Sequence, residues 1–225
     1  GHATAVDSPL LSGITGVTTP SKPIGFDLDK AKKSLDDAGW KVGEDGIRKQ
    51  KDDIALAFEL TVASNLPELV KFAEGLKKQW EAIGVRLTIR SVTISEIRQS
   101  IIKERSYDAL IFGEGFYADP DPFDFWHSSQ KKDPGKNIAL YDDKDADKLL
   151  EDGRQTLDQD ARYTIYDKLQ NIIIADAPAI LLYSPQYIYA QPIKIQGNMT
   201  SLISAPANRF DTAYKWYIDT KRIKE

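Results

Sequence analysis

Asp119, Asp121 and Asp124 follow one another closely in the stretch YADPDPFDFW at 117–126, interleaved with Tyr117, Phe123, Phe125 and Trp126. Carboxylates grouped on one loop can meet a cation on a ligand, divide into an acid and a base, or collect a calcium ion. Pro120 and Pro122 each remove a backbone donor and push the preceding Asp119 and Asp121 toward extended conformations, which stiffens the loop. The calcium reading fails on its own pattern. With Asp119 in first place, the sixth position is Asp124 where glycine is needed and the twelfth is Gln130 where glutamate is needed. The hydrolytic reading, two of these carboxylates acting on a glycosidic bond, has nothing in the sequence to fix their separation. No nucleophile elbow, phosphate-cradling glycine loop or HExxH occurs, and the chain has two histidines and no cysteine. The expectation is therefore ligand recognition, with no catalytic residue, no cofactor and no metal site.

The loop has to be held by the elements around it. Tyr107, Ala109, Leu110, Ile111 and Phe112 make a short apolar run that predicts a strand covered on both faces, after which Gly113 and Gly115 are expected to free the backbone. Upstream, Asp27 is placed to cap a helix with Leu28, Ala31, Leu35 and Ala38 on one face and Gly39 at its end. Residues 41–53 read as a charged turn. Ile54 to Val62 alternates as a strand, Pro67 opens a helix with the stripe Leu69, Phe72, Ala73, Leu76, Trp80 and Ile83, and Val85, Leu87 and Ile89 alternate again. Strand, helix and strand with short connections predict parallel pairing by a right-handed crossover. Thr93 and Glu96 have capping-box spacing before one more helix, and the chain then enters the Tyr107 strand. In sheets of this kind ligands bind beyond the carboxyl ends of the strands, where this loop would lie. Helices are predicted over 143–156 and 159–176, ended by Pro178, and a strand over 179–189. Residues 1–25 form an irregular leading segment that needs a surface to lie on, 26–195 an α/β body, and 196–225 a return segment.

Composition fits a folded chain: of 225 residues 41% are hydrophobic and 28% charged, ordinary for a globular domain. A net charge of −4 argues against nucleic acid as a partner, since no basic face is concentrated here. No run of 18 apolar residues occurs, so no membrane span is expected.

The order of FDLDKAKKSLDDAGW at 26–40, GIR at 46–48, LPELVKFAEGLKKQWEAIGVRLTIR at 66–90, YDALIFGEGFYADPDP at 107–122 and ARYTIYDKLQNIIIADAPAILLYSPQYIYA at 161–190 resembles the extracellular solute-binding proteins of peptide-type ABC transporters. That resemblance implies α/β architecture with a mixed sheet and parallel strand-helix-strand units. It also implies one lobe of a periplasmic-binding-protein-like (class II) fold whose two lobes close on a ligand. The chain would be the C-terminal lobe. An N-terminal lobe, an export signal and a lipid-anchor cysteine would lie outside it, which makes it an expected piece of a longer protein. The partners implied are a small peptide or similar solute and an ABC permease of the inner or cytoplasmic membrane, and the location implied is extracytoplasmic, periplasmic or lipid-anchored at the cell surface.

Carried over by residue, Gly115, Phe116, Tyr117 and Asp119 match the stretch that in peptide binders lies along the ligand backbone, the aspartate meeting the free amino terminus. An enclosed ammonium is costly without an ionised partner. Phe116 stands where the family more often has tryptophan, and Asp121 is a second carboxylate able to share the charge role. Sugars, nickel complexes and haem are the other ligands that the resemblance allows. The plainer readings are a surface turn for the Pro-Asp loop, a cap for Asp124, an ordinary partly exposed His127, core positions for Trp40 and Trp80, and pocket or core for Tyr117 and Trp126. Asp142, Asp143, Asp145 and Asp147 read as a solvated helix start.

Overall fold

A computed structural model describes residues 2–10, 24–115, 121–198, 203 and 205–218. The described residues divide into two compact units. One lies within Ile24–Glu114 and Ser129–Ile138, the other within Gly1–Pro23, Gly115–Ser128 and Ala139–Glu225. The leading segment is less irregular than its prolines suggest: Ala3–Ala5 forms β1, paired antiparallel with Tyr183–Pro185. Ser8 and Leu10 are buried just after it.

The first unit begins with α1 (Leu28–Asp37), where the Asp27 side chain accepts from the Lys30 N–H at 2.9 Å as the sequence predicts. Gly39 ends it with a φ of 86°. The charged stretch that follows is a small hairpin rather than a turn alone: β2 (Lys41–Val42) pairs antiparallel with β3 (Arg48–Lys49). Arg48 is buried, with its Nε donating to Ile83 O at 2.7 Å and one terminal nitrogen to Asp36 Oδ1 at 2.7 Å and Trp40 O at 2.6 Å. One guanidinium thus joins α1, the hairpin and the end of the next helix.

β4 (Ala57–Ala63), α2 (Pro67–Glu81) and β5 (Arg86–Val92) are the predicted crossover, with β4 and β5 parallel in the register Leu60 to Ile89. Leu60, Val62, Val85 and Leu87 are buried, and Phe58 meets the edge of Trp80 with ring centroids 5.1 Å apart. Thr93 caps the next helix through the Glu96 N–H at 3.2 Å. That helix runs as α3 (Ile94–Glu96), a π-type stretch (Ile97–Ile101) and α4 (Ile102–Glu104), and ends at Arg105 with a φ of 54°. β6 (Ala109–Leu110) then joins β4 on its other edge, again parallel, giving the order β5-β4-β6. All pairing in this sheet is parallel, and the antiparallel pairs form separate two-stranded ladders. Ala63, Ile97 and Ile101 form a buried cluster against which Tyr107, Leu110 and Phe112 pack.

The second unit is built on α5 (Phe123–Trp126), α6 (Lys144–Gln155) and α7 (Gln159–Asp176). Asp143 and Asp158 cap the two long helices, each accepting at 2.8 Å from the N–H three residues on. Ala146, Leu150, Tyr166, Leu169 and Ile173 close on one another together with Leu10, Phe125, Trp126 and Tyr141. Each buried leucine contributes about 1.5–3 kcal/mol of transfer free energy. Gly153 of α6 leaves room for the Tyr166 ring, which a Cβ there would overlap. The leading segment is pinned to α7 where Ser8 Oγ donates to Gln170 Oε1 at 2.7 Å. The strand expected over 179–189 contracts to β7 (Tyr183–Pro185), and β8 (Ile195–Gln196) pairs with β9 (Tyr217–Ile218) in the return segment. Among the described residues no helix is long and apolar enough to cross a membrane.

Candidate functional site

The loop named from the sequence leaves the first unit at Glu114 and reaches the second at Gly115. Phe116, Tyr117, Asp119 and Pro120 lie outside the described residues, while Gly115 and Asp121 lie within them. On the leading side the pairing of β6 ends with the Ile111 N–H donating to Thr61 O at 3.0 Å. Tyr107 Oη donates to Ile138 O at 2.5 Å, and Arg105 donates to Lys131 O at 2.8 Å and Gly135 O at 2.7 Å. These bonds fasten the 131–138 segment beside the strand. Gly113 and Gly115 do not use the left-handed region, and a Cβ on either would meet open space, so the freedom expected of them is not needed by the backbone.

Glu114, which the sequence reading passed over, stands exposed in the stretch that follows β6. Burial of the carboxyl among the surrounding protein pushes its pKa up to about 7, against the pull of Lys136 and Arg105 in the opposite direction. The residue as a whole keeps contact with water, which screens it, so the energetic consequence of that shift is small.

On the far side Asp121 is held from two directions. One of its oxygens accepts from the Phe123 N–H at 3.0 Å and the other from Arg154 Nε at 2.6 Å. Asp121 thus makes a local turn onto the N–H of the first residue of α5, and no side chain caps that helix. Asp124 instead pairs with a terminal nitrogen of Arg154 at 3.4 Å. The Arg154 guanidinium lies 3.8 Å from the centre of the Phe123 ring, and the same ring stacks on His127 at 4.1 Å and 18°. His127 is therefore buried rather than partly exposed, with Nε2 3.5 Å from Glu151 and 3.9 Å from Asp147. Asp147 also accepts from the Ser128 N–H at 2.8 Å and from its hydroxyl, so the acidic helix start is not wholly solvated. Trp126 is core, edge-on to Tyr141 at 6.2 Å.

Sequence reasoning missed Arg154 and its column. The available signal was spacing: Asp147, Glu151 and Arg154 stand at i, i+4 and i+7 on α6, one row over from Ala146, Leu150 and Gly153 at the same intervals. Among the described residues no three His, Asp or Glu side chains stand close enough to hold a metal. An open concavity of about 300 Å³ runs along β1 and β7, lined by Thr4, Asp7, Ser8, Ser184 and Gln186 among others. None of the lining named here belongs to the carboxylate loop.

Three comparisons place this arrangement. Over 176 residues the chain is 30% identical to the oligopeptide-binding protein AppA of Bacillus subtilis, covering 76% of this chain and 32% of the relative. It thus spans about a third of the length of the curated relatives it matches. The solved structure of AppA in complex with a nonapeptide superposes with a TM-score of 0.80 at 24% identity, over 98% of this chain and 43% of that one. NikZ from Campylobacter jejuni in complex with Ni(L-His) gives a TM-score of 0.78, also at 24% identity, over 96% and 43%. At these identities the two structures establish the fold, that of class II periplasmic binding proteins. The family follows from the sequence match over residues 1–137 to the middle model of the bacterial extracellular solute-binding proteins, family 5, and to that family the chain belongs.

Proposed function

We propose that this chain is the C-terminal lobe of a two-lobed binding protein that captures peptides outside the cell and delivers them, without turnover, to an ABC permease in the membrane. The observation that carries the reading is a family 5 chain in which β6, parallel to β4, leads from its carboxyl end toward Gly115. Gly115, Phe116 and Tyr117 would lie along the ligand backbone, and Asp119 would meet its amino terminus. The segment 26–195 would form the lobe, with 1–25 as the segment entering it and 196–225 returning toward the N-terminal partner lobe. The complex of AppA with a nonapeptide supports a peptide ligand.

A nickel complex of an amino acid is the second reading, favoured by the comparable likeness to NikZ holding Ni(L-His). Mass spectrometry of small molecules that copurify with the two-lobed protein separates the two: a ladder of peptide masses supports the first, a metal chelate the second. Asp119→Asn removes the charge while keeping shape, and should weaken a free-amine peptide by about 2–5 kcal/mol, the range for breaking an enclosed charge pair. An N-acetylated peptide should bind poorly and be indifferent to the change. Equal loss for both peptides means that Asp119 acts on the fold and not on an ammonium.

A further inference from the structure

We infer that Asp121 is the internal carboxylate of this loop, and that Arg154 is a specificity-determining positioning residue that neutralises it and leaves ligand charge recognition to another group. The inference rests on the peptide reading above but stands on its own geometry. Both oxygens of Asp121 are engaged, one by the Phe123 N–H and one by Arg154 Nε at 2.6 Å, and its side chain is 22% exposed. A carboxylate has room for further acceptor contacts, so geometry alone does not remove it from a ligand. Charge does. With a guanidinium in direct contact, the pair acts at a distance as a dipole, and its pull on a ligand ammonium falls well below that of a free carboxylate.

The guanidinium is itself fixed. It lies over the Phe123 ring at 3.8 Å and reaches Asp124 at 3.4 Å, and Phe123 stacks on His127, which sits beside Glu151 and Asp147. Arg154 therefore holds the first turn of α5, directly after the loop, against α6. Asp121 thus serves the fold, whatever group meets the ligand.

The experiment uses the two-lobed protein and a nonapeptide with a free or an acetylated amino terminus, titrated by calorimetry. Asp121→Asn should lower the parent's ratio of free-amine to acetylated affinity by about threefold or more, because it leaves the Arg154 guanidinium short of its compensating charge, and the double variant Asp121→Asn/Arg154→Gln should return the ratio to within about twofold of the parent's. Arg154→Gln should raise that ratio by about threefold or more, because it releases a second negative charge near the loop, while Arg154→Lys should hold it near the parent value. A merely structural role for Arg154 would weaken both peptides alike. A ratio that stays collapsed toward one in the double variant overturns the inference, because the ammonium is then met by Asp121 itself. If the parent itself shows no preference for the free amine, the peptide-amine reading fails, and the pairing is judged by urea unfolding of Asp121→Asn, Arg154→Gln and the double variant. A double variant no less stable than the weaker single supports the pairing, and additive losses overturn it.

Discussion

The two units each bury a polar side chain where distant segments meet, but they do so with different chemistry. In the sheet unit it is Arg48, a cation whose donors go to two carbonyls and to the Asp36 carboxylate. In the helical unit it is Gln170, a neutral amide between the Ser8 hydroxyl at 2.7 Å and the Asp167 carboxylate at 2.7 Å. A buried cation stripped of its acceptors, or acceptors stripped of their cation, cost several times what a neutral bond does. The sheet unit therefore joins three of its segments through one buried cation and makes that joint respond to acid, whereas the helical unit ties its leading segment to α7 through a hydroxyl and an amide.

Substitutions can break that comparison. Arg48→Met should cost the most, about 3 kcal/mol, by leaving Ile83 O and Trp40 O without their donor. Urea unfolding of the chain measures it, and a loss no larger than that of Gln170→Leu would erase the distinction. Gly153→Ala should follow, at about 2 kcal/mol, since the added methyl overlaps the Tyr166 ring and α6 must move from α7. Ser8→Ala should cost about 1 kcal/mol, the value of one neutral hydrogen bond, and should show as faster exchange of amides in β1 and β7.

The smallest effect is in pH dependence. The hydrogen bond from Arg48, first among the causes, holds the Asp36 carboxyl below its ordinary value of 3.8. A folded pKa depressed in this way contributes stability that is complete above the unfolded value and is lost as pH falls through the folded one. Arg48→Met should therefore flatten the acid limb of the stability curve below pH 3.8, and Gln170→Leu should leave that limb unchanged. Glu114 has the opposite sign. Its raised pKa means that the folded state holds the proton longer, so stability declines as pH rises from 4.5 toward about 7, and Glu114→Gln should remove that decline.

Much of the fold was legible because its causes are local. Asp27, Thr93, Asp143 and Asp158 cap helices with an N–H three residues on, and the alternation of β4 and β5 about a Pro67-initiated helix is enough to predict a parallel pair. The hairpin at Lys41–Lys49 was hidden because its strands carry lysine and arginine, whose long stems bury while their charges mask the pattern. β1 was hidden because three residues carry no periodicity, and its partner lies at the far end of the chain. For the candidate site, the sequence identified the loop, its carboxylates and the strand before it. It gave Asp124 a capping duty and had no Arg154 to set against Asp121.

What the sequence determined by itself is where helices start, where strands alternate and which loop gathers negative charge, since each depends on neighbours within a turn or two. What only the tertiary structure decided is which charge meets which. Arg48 finds Ile83 across 35 residues and Arg154 finds Asp121 across 33. No spacing rule reaches that far, because an ion pair is specified by the packing that brings two elements together and by the absence of water between them.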